Sequence, residues 1–543
     1  MLGLSIVDMP FPCKTRQMAL DDPKIDKLIA LIEDSFRVRE DHDPIYVDVG
    51  DHLERVRAAQ HQVIFGRRGS GKSCLLIHSH RTAENHGTLS IYLSVDEVKR
   101  LSYPDVLIRL LLEIFEWMPR QKVPWWTKLR TRREDPVDAV VRELRELLDR
   151  ADTSSVTLDE GSRDSARLQG RAAARGVGVE SEIAAEVSLR RTSAFSEEKL
   201  DTLERHLQDY KTTLKDALGW SGYDRAAVLL DDFYLIHPTV QPDVVDYFHR
   251  LLRGTSMYLK VGTVRHRTTL VRHEGQTIGL ELYQDAEAIN LDQTFEEIDA
   301  THEYLALMLD SLGKQVDIEN VSGKHLSPNG LFALTLASGG VPRDYLTIFV
   351  EAIRVARERG TLKWLTPTSV YKGAHRITKR TKLINLREDA AGDATPLEAV
   401  FQALLNFCLR AKRKTAFLVS EEEAQQRPSE HDVIKQLMDF KLVHVIEGDT
   451  SAASGRPGRY EAYTLDFAFF MEPRRRNIEV VEFWQKDENR RRIGLRESPV
   501  FPLADVAAAE HHLPTSATED MVDALEISTA DGGAVDDDSD SLL

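Results

Sequence analysis

Five short apolar runs punctuate the first 300 residues, at 61–65, 89–95, 225–230, 258–264 and 286–291. They barely alternate; Val228-Leu229-Leu230 offers no polar position at all. A strand with one wet face alternates with a period of two, whereas a strand covered on both faces reads as a continuous apolar run. The pattern predicts buried parallel strands joined by helices, an α/β arrangement from residue 41 to about 295. Between the second and third runs lies more chain than a crossover needs. In that insertion, about 119–220, Val137, Val140, Leu144 and Leu147 follow a three–four spacing, and so do Leu200, Leu203, Leu207, Tyr210 and Leu214. Two amphipathic helices are expected, paired as an antiparallel hairpin or packed singly on the α/β core. Residues 151–192, rich in Ser, Gly, Ala, Arg and Asp, predict a mobile tip between them.

Beyond residue 295 the period changes from strand-like to helical. Helices are expected at Phe295–Leu312, Pro328–Ser338, Pro342–Arg359 and Pro367–Leu383, with Pro in the first turns and Gly313 and Gly360 past the ends. Residues 395–482 read as helix (Pro396–Lys412), strand (Thr415–Val419), short helix (Ser420–Gln426), helix (Ser429–Phe440, capped by Ser429), strand (Leu442–Glu447), turn and strand (Tyr460–Asp466). Helices followed by a β-hairpin suggest a winged helix-turn-helix. The expected domains are an N-terminal segment (1–40), an α/β core (41–295), an all-helical region (296–392), a winged helix (393–485) and an acidic, largely disordered tail (486–543).

The chemistry enters right after the first strand. Gly66-Arg67-Arg68-Gly69-Ser70-Gly71-Lys72-Ser73 fits the phosphate-binding pattern G-x-x-x-x-G-K-[ST] without mismatch, between an expected strand and an expected helix. Small residues let the backbone from Gly66 to Cys74 curl so that several N–H groups face one phosphate. The helix adds its positive end. Lys72 is expected on the β- and γ-phosphates of ATP, and the Ser73 hydroxyl on Mg²⁺. The third strand ends in Asp231-Asp232. Asp231 is the expected Mg²⁺-shell carboxylate and Asp232 the group that orients or deprotonates the attacking water. The fourth strand ends at Thr263, with Arg265 beyond it, where ligands of open sheets gather; either is a candidate γ-phosphate sensor. Gly340-Val341-Pro342-Arg343 sets Arg343 at a helix start, where it is expected to reach ATP.

Charge modifies the picture less than the net value of −17 suggests. Residues 501–543 carry eleven Asp or Glu and no Lys or Arg, which leaves −6 on the first 500 residues, so acidity does not exclude a nucleic-acid partner. Three basic clusters stand out. Arg120, Lys122, Lys128, Arg130, Arg132 and Arg133 surround Trp125 and Trp126. Lys372, His375, Arg376, Lys379, Arg380 and Lys382 share one expected helix. Arg474–Arg476 and Arg490–Arg492 follow the expected winged helix, whose wing adds Arg456 and Arg459. Basic residues beside aromatics suit phosphate contact and stacking. No run approaches 18 apolar residues, so no membrane span is expected, and the first residues are too short and acidic for a signal peptide. Cys13, Cys74 and Cys408 lie far apart, which fits a reducing cytoplasm and no disulfide framework.

These stations, in this order over about residues 41–480, resemble the AAA+ superfamily, and more narrowly the origin-recognition and initiator-type ATPases. The resemblance makes Gly66–Ser73 a Walker A loop, Asp231-Asp232 a Walker B pair with Asp where the family more often has Glu, Thr263 the end of a sensor 1 strand and Gly340–Arg343 a sensor 2. It implies Mg²⁺-dependent ATP hydrolysis, a helical lid, a winged helix and DNA as partner under nucleotide control, with a homo-oligomer or protein partner as a further expectation. A trans-acting arginine would come from Arg267 or Arg272. The signalling ATPases of the STAND group share the Walker motifs, lid and winged helix, and a nucleotide switch recruiting a protein partner is the alternative.

Overall fold

The computed structural model describes residues 19–36, 46–48, 50–121, 135–149, 179–377, 381, 382, 384, 386, 394–452, 457–471, 477–488 and 491–511; in the long helix that begins at 179, side chains are described from 196. The chain divides into two compact units, one of residues 39–66 and 71–291 and the other of residues 1–38, 67–70 and 292–543. The first described helix, α1 (Pro23–Ser35), belongs to the second unit. Asp22 caps it, accepting from Lys24 N at 2.9 Å.

In the first unit, β1 (Gln62–Phe65), β2 (Thr88–Ser94), β3 (Arg225–Asp231), β4 (Met257–Thr263) and, after the antiparallel hairpin β5–β6 (Val271–Glu274 and Gln276–Gly279), β7 (Glu287–Asn290) are the strands. The sheet order is β2-β3-β4-β1-β7 with every neighbour parallel. The five apolar runs are these strands, within a residue or two. Their lack of alternation has a direct cause. Val63, Phe65, Val228 and Leu230 face one apolar core, while Ile64 and Leu229 face another on the opposite side of the sheet. Because the chain leaves β1 and re-enters at the far edge, β1 has β4 on one side and β7 on the other. Such a reversal opens a crevice at the carboxyl ends of the strands.

Helices α2 (Lys72–Thr82), α3 (Asp105–Trp117), α4 (136–149), α5 (Val179–Ser221) and α6 (Gln241–Leu252) complete this unit. The stripes of α4 and α5 pack on the α/β core. Val137, Leu144, Leu203 and Leu214 are fully buried in the same cluster as Phe115 of α3 and Phe248 of α6. Full burial contributes about 1.5–3 kcal/mol for each such side chain, which outweighs a seam between two free helices. Tyr210 seals the packing: its ring meets Phe115 edge-on at 5.8 Å and its hydroxyl donates to Glu143 at 2.8 Å. The expected tip, 151–192, falls only partly within the described residues. Residues 179–192 are helical and belong to α5, and residues 150–178 lie outside the described ones.

In the second unit, α7 (Ile298–Gln315), α8 (Pro328–Ser338), α9 (Pro342–Glu358) and α10 (Pro367–Ile377) are the expected helices. Gly313 does not end α7, which runs two residues further. The glycine instead admits a close neighbour, since a Cβ there would lie 2.3 Å from Val321 Cγ2. After α11 (Ala394–Leu405) and a wider helical turn to Lys412 come β8 (Ala416–Ser420), α12 (Glu421–Gln426), α13 (Pro428–Asp439), β9 (Val443–Thr450) and β10 (Tyr460–Leu465). The three strands form an antiparallel sheet in the order β8-β10-β9. Ser429 is not the cap of α13. Pro428 takes the first helical position, so Arg427 sits at the cap. The expected disordered tail from 486 is also corrected. Val500 bridges to Leu418 of β8, and Phe501, Leu503 and Val506 are buried in the same core as Phe417. Within this stretch, residues 489, 490 and 512–543 lie outside the described ones.

Candidate nucleotide site

The sheet presents its polar groups at the carboxyl ends of β1, β3 and β4. Gly66 N–H donates to Thr263 O at 3.1 Å, which pins the loop's first residue to the end of β4. Gly71, at φ +100°, has open space where a side chain would stand, and α2 begins at the next residue. Lys72 is buried and its Nζ donates to Gly66 O at 2.6 Å, so its ammonium is turned onto the loop. Asp231 is 1% exposed. Its Oδ2 accepts from Tyr92 Oη and its Oδ1 from Asp232 N, both at 2.9 Å. Gly262 on the adjacent strand makes that possible, because a Cβ there would lie 2.9 Å from Asp231 Oδ1. Asp232 has φ 55°, ψ 35°, a left-handed conformation that residues other than glycine seldom adopt. Thr263 is fully buried, with its hydroxyl 2.5 Å from Thr268 Oγ1. Arg265 lies over the Phe65 ring at 4.2 Å.

The middle of the loop, Arg67–Ser70, belongs to the second unit. Arg343 N–H donates to Gly69 O at 3.2 Å. Gly69, at φ +92°, is closed to a side chain there: a Cβ would lie 2.8 Å from Arg343 Cβ. The start of α9 therefore docks by its backbone on the loop. Arg67 is buried. Its backbone N–H donates to Asp292 Oδ1 at 2.7 Å, and its Nη2 donates to Gln293 O at 2.7 Å and Gly339 O at 3.1 Å. Arg68 is exposed. Ser70 Oγ is buried without a hydrogen-bond partner among the described residues. Left-handed glycines, an orphaned hydroxyl, a buried lysine and a helix start are the features a phosphate cradle requires, so the residues fit a nucleotide. For a divalent ion they offer one hydroxyl, Ser73, and one carboxylate, Asp231. Among the described residues no group of three or more His, Cys, Asp or Glu could hold a metal. That sparse set suits Mg²⁺, which keeps its waters and takes its remaining oxygens from phosphates.

Several sequence candidates are already occupied. Arg272 makes a bidentate ion pair with Asp243, both bonds 2.9 Å, and Arg267 lies over the Tyr234 ring at 4.7 Å. Arg120 pairs with Asp138 at 2.9 Å. In the basic helix, Arg376 pairs with Glu358 at 2.6 Å, and Lys382 is a buried residue paired with Asp466 at 2.6 Å, not a surface cation. Arg459 pairs with Asp449, and Arg492 donates to Phe295 O and Glu296 O. Lys122, Lys128, Arg130, Arg132, Arg133, both tryptophans, Lys379, Arg380, Arg456, Arg474–Arg476 and Arg490 lie outside the described residues. Sequence reasoning passed over Arg410, Lys412 and Arg413, exposed cations in the turn before β8. It also passed over His444 and Asp466. Both are polar residues set beside apolar runs, which is the signal that could have found them.

No protein-family model matches the chain, and no curated protein matches it. Among solved structures, the chain is similar to a chain of the Drosophila ORC bound to DNA, with 9% identity, 86% of this chain and 94% of that chain covered, and a TM-score of 0.34. It is similar to the Aeropyrum pernix ORC1 protein in complex with DNA, with 13% identity, coverage of 82% and 88%, and a TM-score of 0.29. It is also similar to a Walker-type ATPase of Pyrococcus abyssi, with 12% identity, coverage of 84% and 98%, and a TM-score of 0.33. What this chain does rests on its own residues. No helix among the described residues is long and apolar enough to cross a membrane.

Proposed function

We propose that the chain is a cytoplasmic AAA+-type ATPase that binds and hydrolyses ATP at Gly66–Cys74 and engages DNA under nucleotide control. The observation that carries the ATPase reading is the intact phosphate-binding sequence at the crevice end of β1, beside the carboxylates that end β3. Backbone N–H groups of the loop and Lys72 would hold the phosphates. Mg²⁺, when bound, supplies charge neutralisation on the phosphate oxygens. Ser73 would ligate it directly. Asp231 would hold the Mg²⁺ shell, directly or through water, with one lone pair on each oxygen already accepting a hydrogen bond. Asp232, whose backbone is left-handed, would orient or deprotonate the attacking water. Thr263 would sense the phosphate end through the Gly66 N–H that its carbonyl accepts, and Arg343 would reach the nucleotide from the start of α9.

For DNA, the supporting residues are the exposed Arg410, Lys412 and Arg413, in a region whose order of helix, strand, two helices and two strands, with the three strands in one sheet, suits a winged helix. One observation favours the alternative, a STAND-like switch recruiting a protein partner: Arg376, Lys382, Arg459 and Arg492 are spent on internal partners. The test is ATP turnover with and without duplex DNA across a salt series. Stimulation by DNA that fades steeply with salt is expected. Turnover untouched by DNA, with no DNA retained at low salt in either nucleotide state, would leave the protein-partner switch.

A further inference from the structure

Arg67 lies at the second position of the phosphate loop, and its guanidinium is committed on every side. Besides Asp292, Gln293 and Gly339, its Nη1 lies 3.3 Å from His444 Nδ1. His444 is in β9 of the C-terminal sheet, 377 residues along the chain. Its other ring nitrogen, Nε2, lies 2.9 Å from Asp466 Oδ2, just past β10, and the same oxygen accepts from Lys382 Nζ at 2.6 Å. All of these residues belong to the second unit, and Asp466 is wholly buried. The protons can be assigned from chemistry. A guanidinium only donates, so His444 Nδ1 must accept; the ring proton therefore sits on Nε2 and is donated to the Asp466 carboxylate. Burial lowers the pKa of His444, and Arg67 and Lys382 add to that, while Asp466 opposes it. A second proton on His444 would set two donors and two positive charges face to face at Arg67.

Steric evidence points to the same contact. Gly339, at φ +61°, has the His444 ring where its side chain would be, with Cε1 2.0 Å from the position of a Cβ. The neighbouring segment, Val341–Arg343, is the one that docks on Gly69. The glycine pair before α9 is thus wedged between the loop and the C-terminal strand. A side chain at 339 would push one of them away.

We infer that the C-terminal domain is a working part of the nucleotide site: His444, fixed by Asp466, is a positioning residue that orients Arg67 and so sets loop residues 67–70 for phosphate. The inference rests on the reading of that loop as an ATP site. Nucleotide on the loop and the state of β9 then bias each other, which gives the C-terminal domain a direct means of reading occupancy.

The test uses the full chain, with His444→Gln, which can still accept from Arg67 and donate to Asp466, and His444→Phe, which can do neither. ATP affinity is titrated, and melting midpoints are measured with and without saturating Mg·ATP. Expected are about a tenfold weaker Kd in His444→Phe, near the cost of a lost charge-assisted bond, and a milder loss in His444→Gln. The ATP-induced rise in midpoint should shrink in the same order, because that rise follows [ATP]/Kd. In wild type, ATP should also slow amide exchange in 443–447. A merely structural histidine would lower the midpoint without ATP and leave the ATP-induced rise intact. If His444→Phe fails to fold, His444→Gln carries the test. Folded variants with wild-type affinity and wild-type ATP-induced rise would overturn the inference while the ATP site stood. Absence of ATP binding by the wild type would instead overturn the site itself.

Discussion

The two halves of the phosphate loop are held by different kinds of force. Gly66 and Gly71–Cys74 hang from a sheet whose strands are apolar on both faces, and their positions follow from backbone pairing and packing. In the segment 67–70, Arg67 is gripped by charges and carbonyls: Asp292, Gln293, Gly339, His444 and, behind His444, Asp466 and Lys382. Apolar packing carries no titratable group of its own and is lost chiefly through cavities or overpacking. A buried polar network depends on every member, since leaving one charge without its partner costs more than the bond itself contributed. On the proposed ATPase reading, the sheet half suits catalysis that must not vary, and the network half suits adjustment.

The sharpest separation comes from Lys72→Ala. It leaves both the sheet and the network intact and removes the charge meant for the β- and γ-phosphates. ATP affinity should fall at least about a hundredfold, roughly 3 kcal/mol, the loss expected for a charge-assisted contact. Unchanged titration of a fluorescent ATP analogue would take the phosphate assignment away from this loop. Asp232→Asn tests turnover and not binding. Turnover should drop by about 10²–10⁴, the usual range for a lost acid–base group, while ATP still binds. Steady-state hydrolysis measured beside the same titration separates the two effects; wild-type turnover would move the base elsewhere.

On the network side, Asp466→Asn removes the carboxylate that faces Lys382 and His444. The next carboxylate oxygen from Lys382 Nζ is that of Asp344, at 3.9 Å. Breaking a buried pair at one end costs about 3–5 kcal/mol, which urea unfolding will read. A loss under about 0.5 kcal/mol, the level of an ordinary surface change, would show that the network does not hold the loop. Burial alone would raise the pKa of Asp466, but Lys382 and His444 outweigh it and hold it below the ordinary value. Because the folded value is the lower one, this part of the stability is present above the unfolded carboxylate range. It is lost as pH falls through the folded value, and Asp466→Asn should flatten that acid limb.

The contrast also explains what could be read from the sequence. Strands β1 to β4 and β7 were legible because a fully covered strand writes its burial locally, in consecutive residues such as Val63-Ile64-Phe65. The loop Gly66–Ser73 stood out in the sequence because its pattern has a fixed spacing between an expected strand and an expected helix. The network was not, because Arg67 and His444 are 377 residues apart and Lys382 and Asp466 are 84 apart. Neither pairing leaves a local trace, so Lys382 read as one more surface cation in a basic run. Gly313 misled for a related reason: a glycine that ends a helix and one that lets a neighbour approach look alike until the neighbour, Val321, is known. The stripes of α4 and α5 were read correctly as amphipathic, but periodicity names the buried face and not what covers it.

The smallest expected effect concerns how the sheet unit hosts a buried charge, at Lys260. Lys260 interrupts the apolar run of β4 and is 1% exposed. Its Nζ donates to Ala58 O, Gln60 O and Gln62 Oε1 at 2.6–2.7 Å. Burial pushes its pKa down to about 7; Glu287 opposes the shift and Arg225 adds to it. The unfolded chain keeps a lysine near its ordinary 10.5. Between these two values the unfolded state binds the extra proton, so this residue makes stability rise with pH from about 7 towards 10.5, and contributes no slope below. The slope is bounded at roughly 1.4 kcal/mol per pH unit and should be smaller, since three acceptors favour the ammonium. Lys260→Met should remove it. Urea unfolding of both proteins at pH 7 and pH 9 isolates this residue from everything else that titrates, because only the difference between them counts. Parallel lines for the two proteins would mean that the three carbonyl-type oxygens keep Lys260 fully charged. The sheet half would then hold a buried cation as firmly as the network half holds Lys382, and the division between the two would rest on where carboxylates stand and not on how charges are hosted.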